Sequence, residues 1–589
     1  MRIEIPKSIV MQVWLGFFYS NCRHRFVKRF PHENSMNIPR TSRLRAIPVA
    51  LAILAALAAP NRSTSHETTR QAFSQSRQLA QADTAANAED LDRLPKGRCQ
   101  LRIDVVVADE DQAVPAVVRI VNPKSGKTIP LTGEIHRNLN WYSLDAAATV
   151  AVPQMKLRIE AIRGLDTELE TAEIDLTGRT EASVKLSLKN FYDAHFRGLR
   201  GGNTHLHLMK LTHEEALRYL SVVPQSDAID LVYLSYLRRL PDERHYISNQ
   251  IVADSFAGGG LHRLSQRGIL FDNGEEHRHN FGRGDQGYGH VMLLNLEQLI
   301  RPVSLGPGIM GEGTDDTPLQ NGIRAAHEDK ATVIWCHNTF GFEDIPNWMA
   351  GLIQAQNIYD GGTHGTYEDT FYRYLNLGLK VPFSTGTDWF MYDFSRVYVP
   401  MFDDLTSASW LKQLRDGRSF ITNGPLLELE AERGGLGDTL TLPAPNRVTF
   451  MGKAMGRVDF GQIEMIYNGK VVDHVVAKKE GGYYHADKQF RVEIGEPGWV
   501  ALRIKPDANV NELGRPLFAH TSPIYLEVGG KTIFRKETAE QLVAEMKQSV
   551  EAIKALGKFS SDATRAQLLA VYETEIKKLE QRIEHEKQE

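Results

Sequence analysis

From Gly198 to about Gly424 the chain alternates short apolar runs with amphipathic ones, and this alternation limits the fold more than any other feature of the sequence. The runs DLVYLSYL, GILFDN, HVMLLNL, ATVIWCHN and KVPFSTGT are rich in β-branched and aromatic residues. Between them lie HEEALRYL, LQNGIRAAHED, YEDTFYRYLNLG and WLKQLRDG, with apolar residues at helical spacing. Strands separated by helices predict βα units around a mainly parallel sheet, and active-site groups in such sheets gather at the carboxyl ends of strands.

The flanks have a different period. From Cys99 to about Asn190, LRIDVVVAD, AVVRIVNP, KLRIEAI and ASVKLSLKN alternate apolar and polar residues, which predicts a small antiparallel sandwich over 98–195. From about Leu426 to Phe534 short strands return, with Asn468-Gly469 as a hairpin turn, predicting a second sandwich over 426–534. In the last segment, 535–589, Leu542, Val543, Met546, Val550 and Ile553 repeat at helical spacing, as do Leu568, Leu569, Tyr572, Ile576 and Leu579. A helical hairpin docking by its apolar stripe is expected, with partner binding or dimerisation as the alternative use of that stripe.

Arg40, Arg43 and Arg45 precede an apolar run from Ala46 to Ala59 with small residues Ala56 and Ala58 after its centre. A basic region, a short apolar core and small residues predict a secretory signal peptide within 1–60, with Met36 as an alternative start and an uncleaved anchor as the other reading. A bilayer span needs about 20 apolar residues, more than this run has. The Ser-, Thr-, Gln- and Ala-rich stretch 61–97 predicts a linker. An exported protein, periplasmic or extracellular, is therefore expected. The net charge of -4 over 589 residues gives no reason to expect nucleic acid as partner. Three cysteines, Cys22, Cys99 and Cys336, without a CxxC pair argue against a thiolate zinc site or a disulfide scaffold. Cys99 and Cys336 fall in different predicted domains, which argues against a bridge.

The chemistry-bearing residues all fall in the βα region. In Asn203-Thr204-His205-Leu206-His207, imidazoles two apart on a strand share one face and could ligate one ion. Gly274-Glu275-Glu276-His277-Arg278-His279 follows an apolar run. Gly289-His290 precedes one, while His337 and Asp388 follow others. Each motif alone is compatible with ordinary buried hydrogen bonding. Together they offer hard oxygen and borderline nitrogen donors without thiolate, a set suited to Zn²⁺, Mn²⁺ or Fe.

The ordered series HxH, G-x-E, G-H before a strand, strand plus His, and G-T-D resembles the polymerase-and-histidinol-phosphatase (PHP) superfamily, and within it the carbaryl-hydrolase-like (CehA/McbA) branch. Gly417-Arg418-Ser419-Phe420-Ile421-Thr422-Asn423-Gly424-Pro425 is similar to a segment that closes the catalytic domain there, and the resemblance extends over roughly 98–530. It implies a multidomain α/β plus all-β chain: a distorted β/α barrel over 196–425, flanked by the two sandwiches and the hairpin. It also implies the metal ligands His205, His207, Glu276, His290, His337 and Asp388. Glu276 is preferred to Glu275 by the G-x-E pattern. His277 and His279 are second candidates, with a charged surface loop as the competing placement.

The departures are Tyr236 where a D-H pair is usual, Asp388-Trp389-Phe390 in place of D-x-H, and Leu208-Met209-Lys210-Leu211 where an acidic residue is usual. One or two divalent ions are therefore expected instead of three. The implied activity is hydrolysis of an ester, carbamate or amide bond in a small-molecule substrate by metal-activated water. Phosphoesterase activity and a degenerate binding module are the alternatives. His290, His337 and Asp388 are the expected catalytic groups, His290 and His337 as proton carriers; no organic cofactor is expected. Arg283 or Arg396 would stabilise a developing anion, unless either lies in a surface salt bridge. Trp389, Phe390 and Tyr392 would line a pocket, or else pack in the core.

Overall fold

The structure, a computed structural model, describes residues 97–586 except 108–111, 239–245, 259–260, 266–267, 280–286, 306–312, 338–340, 363–364 and 507. The expected signal peptide, Cys22, Arg283 and nearly all of the linker lie outside the described residues.

The period-two runs after Arg98 form β1 (Arg98–Val107), β2 (Ala116–Val121), β3 (Ile135–His136), β4 (Tyr142–Leu144), β5 (Ala148–Pro153), β6 (Lys156–Ile162), β7 (Glu170–Asp175) and β8 (Glu181–Leu188). They make two sheets, β5-β1-β8 and β3-β4-β2-β6-β7. Leu101, Ile103 and Leu186 from one and Val118, Ile159 and Ala161 from the other share an apolar core. The expectation of a wholly antiparallel sandwich is corrected in one place: β1 and β8 run parallel, Leu101 beside Ala182. Cys99 in β1 and Cys336 are both buried and free.

The α/β region contributes β9 (Leu199–His207), β10 (Leu231–Leu237), β11 (Leu270–His279), β12 (Gly289–Leu294), β13 (Ser304–Leu305), β14 (Thr332–Cys336), β15 (Ala355–Asn357), β16 (Phe383–Ser384), β17 (Asp388–Trp389), β18 (Arg396–Pro400) and β19 (Phe420–Thr422). The strands β9, β10 and β11 are parallel neighbours, as are β14, β15 and β16. Between these sets β12 runs antiparallel to both β11 and β14. The sheet is therefore mixed instead of mainly parallel, and it curls into a half-barrel. β17 lies parallel to the last residues of β9, and β18 antiparallel to its first. Helices pack where the amphipathic runs predicted them. In the first, His213–Ser226, Thr212 and Glu215 form a reciprocal N-terminal cap that satisfies two otherwise unpaired backbone N–H groups.

The C-terminal strands are β20 (Leu426–Ala431), β21 (Thr439–Leu442), β22 (Asn446–Gly456), β23 (Gln462–Tyr467), β24 (Lys470–Val476), β25 (Lys478–Glu480), β26 (Tyr483–Ile494), β27 (Gly498–Ile504), β28 (Ala519–Thr521) and β29 (Ile524–Val528). Asn468 and Gly469, both at positive φ, make the β23–β24 turn. One sheet, β20-β22-β26-β25, stands alone. The other continues the half-barrel: Ile421 of β19 pairs with His520 of β28, and β28 with β27. Helices Lys536–Leu556 and Asp562–His585 bury the predicted stripe within this same chain, among Leu319, Ile323 and Trp348.

Candidate metal centre

β9 carries His205 and His207 on one face, as residues two apart on a strand must be. Both are fully buried, and their Nε2 atoms are 3.0 Å apart. The far side of each ring is held. His207 Nδ1 lies 3.0 Å from the Ser235 carbonyl of β10, and His205 Nδ1 lies 2.9 Å from Asp360 Oδ2. A carbonyl oxygen can only accept, so His207 Nδ1 bears a proton. Donation from His205 Nδ1 to the Asp360 carboxylate assigns the same tautomer there. In the neutral rings both Nε2 lone pairs then face each other.

Two carboxylates join them. Glu276 Oε2 is 3.0 Å from His207 Nε2 and 3.7 Å from His205 Nε2. Asp388 Oδ1 is 3.3 Å from His205 Nε2 and 3.6 Å from His207 Nε2. Ligands around a tetrahedral zinc at roughly 2.05 Å are separated by about 3.3 Å, which is the spacing found here. Asp388 Oδ1 is buried and has no hydrogen-bond partner among the described residues. Four electron-pair donors converging on one point repel unless a proton or a metal cation sits among them. These four residues could hold a metal ion, and the Ser235 carbonyl and Asp360 carboxylate behind the two rings are the outer partners that such ligands require.

Glu276 turns its other oxygen to a second group. Oε1 lies 3.4 Å from His290 Nδ1 and 3.9 Å from His337 Nε2. His337 Nδ1 is 3.1 Å from Asp360 Oδ1, so one buried carboxylate steers both His205 and His337. Asn357 Nδ2 donates to Asp360 Oδ2 at 3.0 Å. Arg278, also buried, donates from Nη2 to His290 Nε2 at 2.9 Å and places Nη1 3.5 Å from Glu276 Oε1.

Backbone geometry brings Asp388 in. Its φ is +56°, a left-handed conformation uncommon for a residue with a side chain. Gly361 is pressed so closely to it that a Cβ there would meet Asp388 Oδ2 at 2.6 Å. The centre is electrostatically tense. Burial pushes the Glu276 carboxyl up, but the Arg278 charge and hydrogen bonds from His205, His207 and His337 bring it well below the usual range. Burial opposes the ionisation of Asp360 too, yet the His337 charge and bonds from both imidazoles depress it strongly. His205 is raised to about 9: burial works against it, and the Asp388 charge and the Asp360 hydrogen bond outweigh burial. Burial raises Asp388 despite its histidine neighbours. Positive charge is what this centre attracts.

No protein-family model matches this chain, and no curated protein aligns with it.

All six residues expected as ligands, His205, His207, Glu276, His290, His337 and Asp388, come together, in three overlapping donor groups. The third joins His205 and His337 to Cys336, whose thiol is raised well above its ordinary range, first by burial and then by Glu276 and the other carboxylates. Glu275, His277 and His279 lie on the other face of β11. His277 Nδ1 is bonded to Glu275 Oε1 at 2.9 Å, and His279 packs against Tyr288. The surface-loop placement for them is corrected, since β11 runs on to His279 and both are buried. Arg396 is neither at the centre nor in a surface salt bridge. It is buried and donates to the Phe394 and Ala228 carbonyls. Trp389 stands against the His207 ring with 5.3 Å between centroids, whereas Phe390 packs on Tyr219 and Tyr392 donates to the Tyr359 carbonyl. Tyr236, in place of the expected histidine, is half-buried beside the apolar cluster of Leu234 and Ile247.

Sequence reasoning missed Asp360 and Arg278. Arg278 had a signal: two residues after Glu276, it shares that face once the strand is read through to His279. Asp360 follows β15 in a short turn, and nothing in its local sequence separates it from other Asp-Gly turns.

Proposed function

We propose that this chain is a metal-dependent hydrolase of ester, carbamate or amide bonds, built on a PHP-like barrel of the carbaryl-hydrolase type. The observation that carries the reading is the convergence of His205, His207, Glu276 and Asp388 donor atoms at ligand-to-ligand spacing, with both imidazoles held from behind. Zn²⁺, Mn²⁺ or Fe is the expected class of ion. A bound divalent ion would lower the pKa of its water from 15.7 to about 7, supplying a nucleophile at neutral pH.

The remaining work belongs to the chain. Asp360 fixes the rings of His205 and His337. His337, beside Glu276 Oε1, is placed to move protons to and from the leaving group, and His290 stands against the same oxygen. Trp389 gives the centre an apolar wall against which an uncharged group could rest. Arg278 is the single cationic side chain among the described residues hydrogen-bonded to a member of the six, and its bond is spent on His290. A carbonyl substrate suits this centre better than a phosphate ester, which calls for several cationic donors. The basic and apolar segment near the N-terminus supports an exported protein. Among the described residues no helix is long and apolar enough to cross a membrane.

The test is metal analysis of the purified protein, together with turnover of chromogenic esters, carbamates and phosphodiesters in added Mn²⁺ or Zn²⁺. His207→Ala and Glu276→Ala should each lose the ion and the activity. Retention of both in either variant would defeat the proposal. A wild-type protein without stoichiometric metal would favour a binding module, and turnover of phosphodiesters alone a phosphoesterase.

A further inference from the structure

The donor group Glu276, His290 and His337 suggests a place for a second ion. We infer that Arg278 closes that place: it holds His290 as an Nδ1–H hydrogen-bond donor and keeps it out of the ligand set, so the centre takes one ion, with a guanidinium standing where a second cation would go. This rests on the metal-site reading above.

The reason is the proton inventory of the two side chains. A guanidinium has five N–H donors and no lone pair to offer. At 2.9 Å from Arg278 Nη2, His290 Nε2 must accept, so the proton of the neutral ring is on Nδ1. An ion on Nδ1 would need that proton moved to Nε2, where it would point into an N–H of the guanidinium. The pairing is no accident of side-chain placement. Arg278 and His290 are direct cross-strand partners in the β11–β12 register, and Arg278 shares its face with Glu276 two residues before it. Both side chains are almost wholly buried, so water does not compete for the bond. The Nδ1–H then faces Glu276 Oε1 at 3.4 Å, beside the ion-holding oxygen of the same carboxylate. Arg278 Nη1, 3.5 Å from Oε1, supplies that oxygen with the positive charge a second ion would otherwise bring. Arg278 is thus a positioning residue, and His290 is placed as a neutral hydrogen-bond donor toward the reacting group, keeping its Nδ1 proton throughout.

The experiment is equilibrium titration of metal-free protein with Zn²⁺, read as ions bound per chain and as affinity by competition with a chelator. Wild type should bind one equivalent. His290→Ala should still bind one, with affinity within about threefold of wild type, while turnover falls by roughly 10²–10³-fold, as loss of a hydrogen-bond donor to a developing oxyanion does. Arg278→Gln, which can accept as well as donate, should admit a second equivalent. Arg278→Lys, again a donor only, should return the count to one. Two equivalents in wild type, a loss of ten-fold or more in affinity on His290→Ala, or a single equivalent in a folded Arg278→Gln would each overturn the inference. No bound ion in wild type would instead remove the metal-site reading beneath it. The His290→Ala arm does not depend on the arginine variants folding.

Discussion

Asp360 is not among the six residues expected as ligands, yet it orients two of the imidazoles. Outer partners of this kind are worth about 10–100-fold in metal affinity. Asp360→Ala should lower Zn²⁺ affinity by that amount in a chelator competition, with the fold retained by circular dichroism; an unchanged affinity would show that the rings are held by packing alone. Gly386 matters for a different reason. A Cβ there would lie 2.6 Å from His205 Cβ and 2.7 Å from His205 N, and the second of these is backbone that gives only if β9 moves. Gly386→Ala should therefore weaken metal binding and lower the melting temperature together, although the residue carries no donor. Metal affinity equal to wild type would mean that β9 accommodates the methyl without shifting His205.

Elements set the faces on which residues meet. The HxH motif was legible because a two-residue period puts both rings on one side of any strand. His290 was legible as a candidate but its reason was not: it lies at the start of β12, and it reaches the centre because β12 runs antiparallel to its neighbours. A reading in parallel βα units would have put that residue at the opposite edge of the sheet. The β19–β28 seam carries a further buried histidine. His520 donates from Nδ1 to the Thr521 carbonyl and accepts from the Tyr372 hydroxyl at Nε2, which leaves no place for a second ring proton. Burial is the main reason its pKa falls to about 3. An unfolded histidine titrates near 6.5, so between about 6.5 and 3 the unfolded chain binds the extra proton and the folded one does not. Stability from this group is therefore full above pH 6.5 and is lost as pH falls toward 3, at about 1.4 kcal/mol for each unit of separation. His520→Gln should flatten the acid limb of stability against pH in urea titrations. A limb of unchanged slope would assign acid unfolding to other groups.

At the scale of the molecule, the hairpin Lys536–Leu556 and Asp562–His585 completes a core it does not own. Leu542, Met546, Ile553, Leu568 and Tyr572 are buried in the same cluster as the barrel residues Val291, Ile334 and Trp335. Arg373 ties the two together, bonded to Asp344 at 2.6 Å and to Glu545 at 3.0 Å. Asp315 and Asp316 accept from the backbone of Lys558 and Ser560 in the hairpin's turn. Ending the chain after Arg535 would expose that apolar face and leave the buried Arg373–Asp344 pair without its third member. The truncated protein should be insoluble or melt many degrees lower by calorimetry. A soluble truncation with an unchanged melting temperature would show the hairpin to be an appendage.

Period, turn chemistry and residue type are local properties, and what depends on them could be read from the chain alone: strands in both flanks, the Asn468-Gly469 turn, the apolar stripe of the hairpin and the pairing of His205 with His207. Which strand runs against which is decided by long-range hydrogen bonding and burial, to which local periodicity is blind. Only the folded chain therefore decided that β12 is reversed, that the half-barrel sheet runs on into the C-terminal strands, that Asp360 stands behind two histidines, and that a guanidinium faces the imidazole of His290.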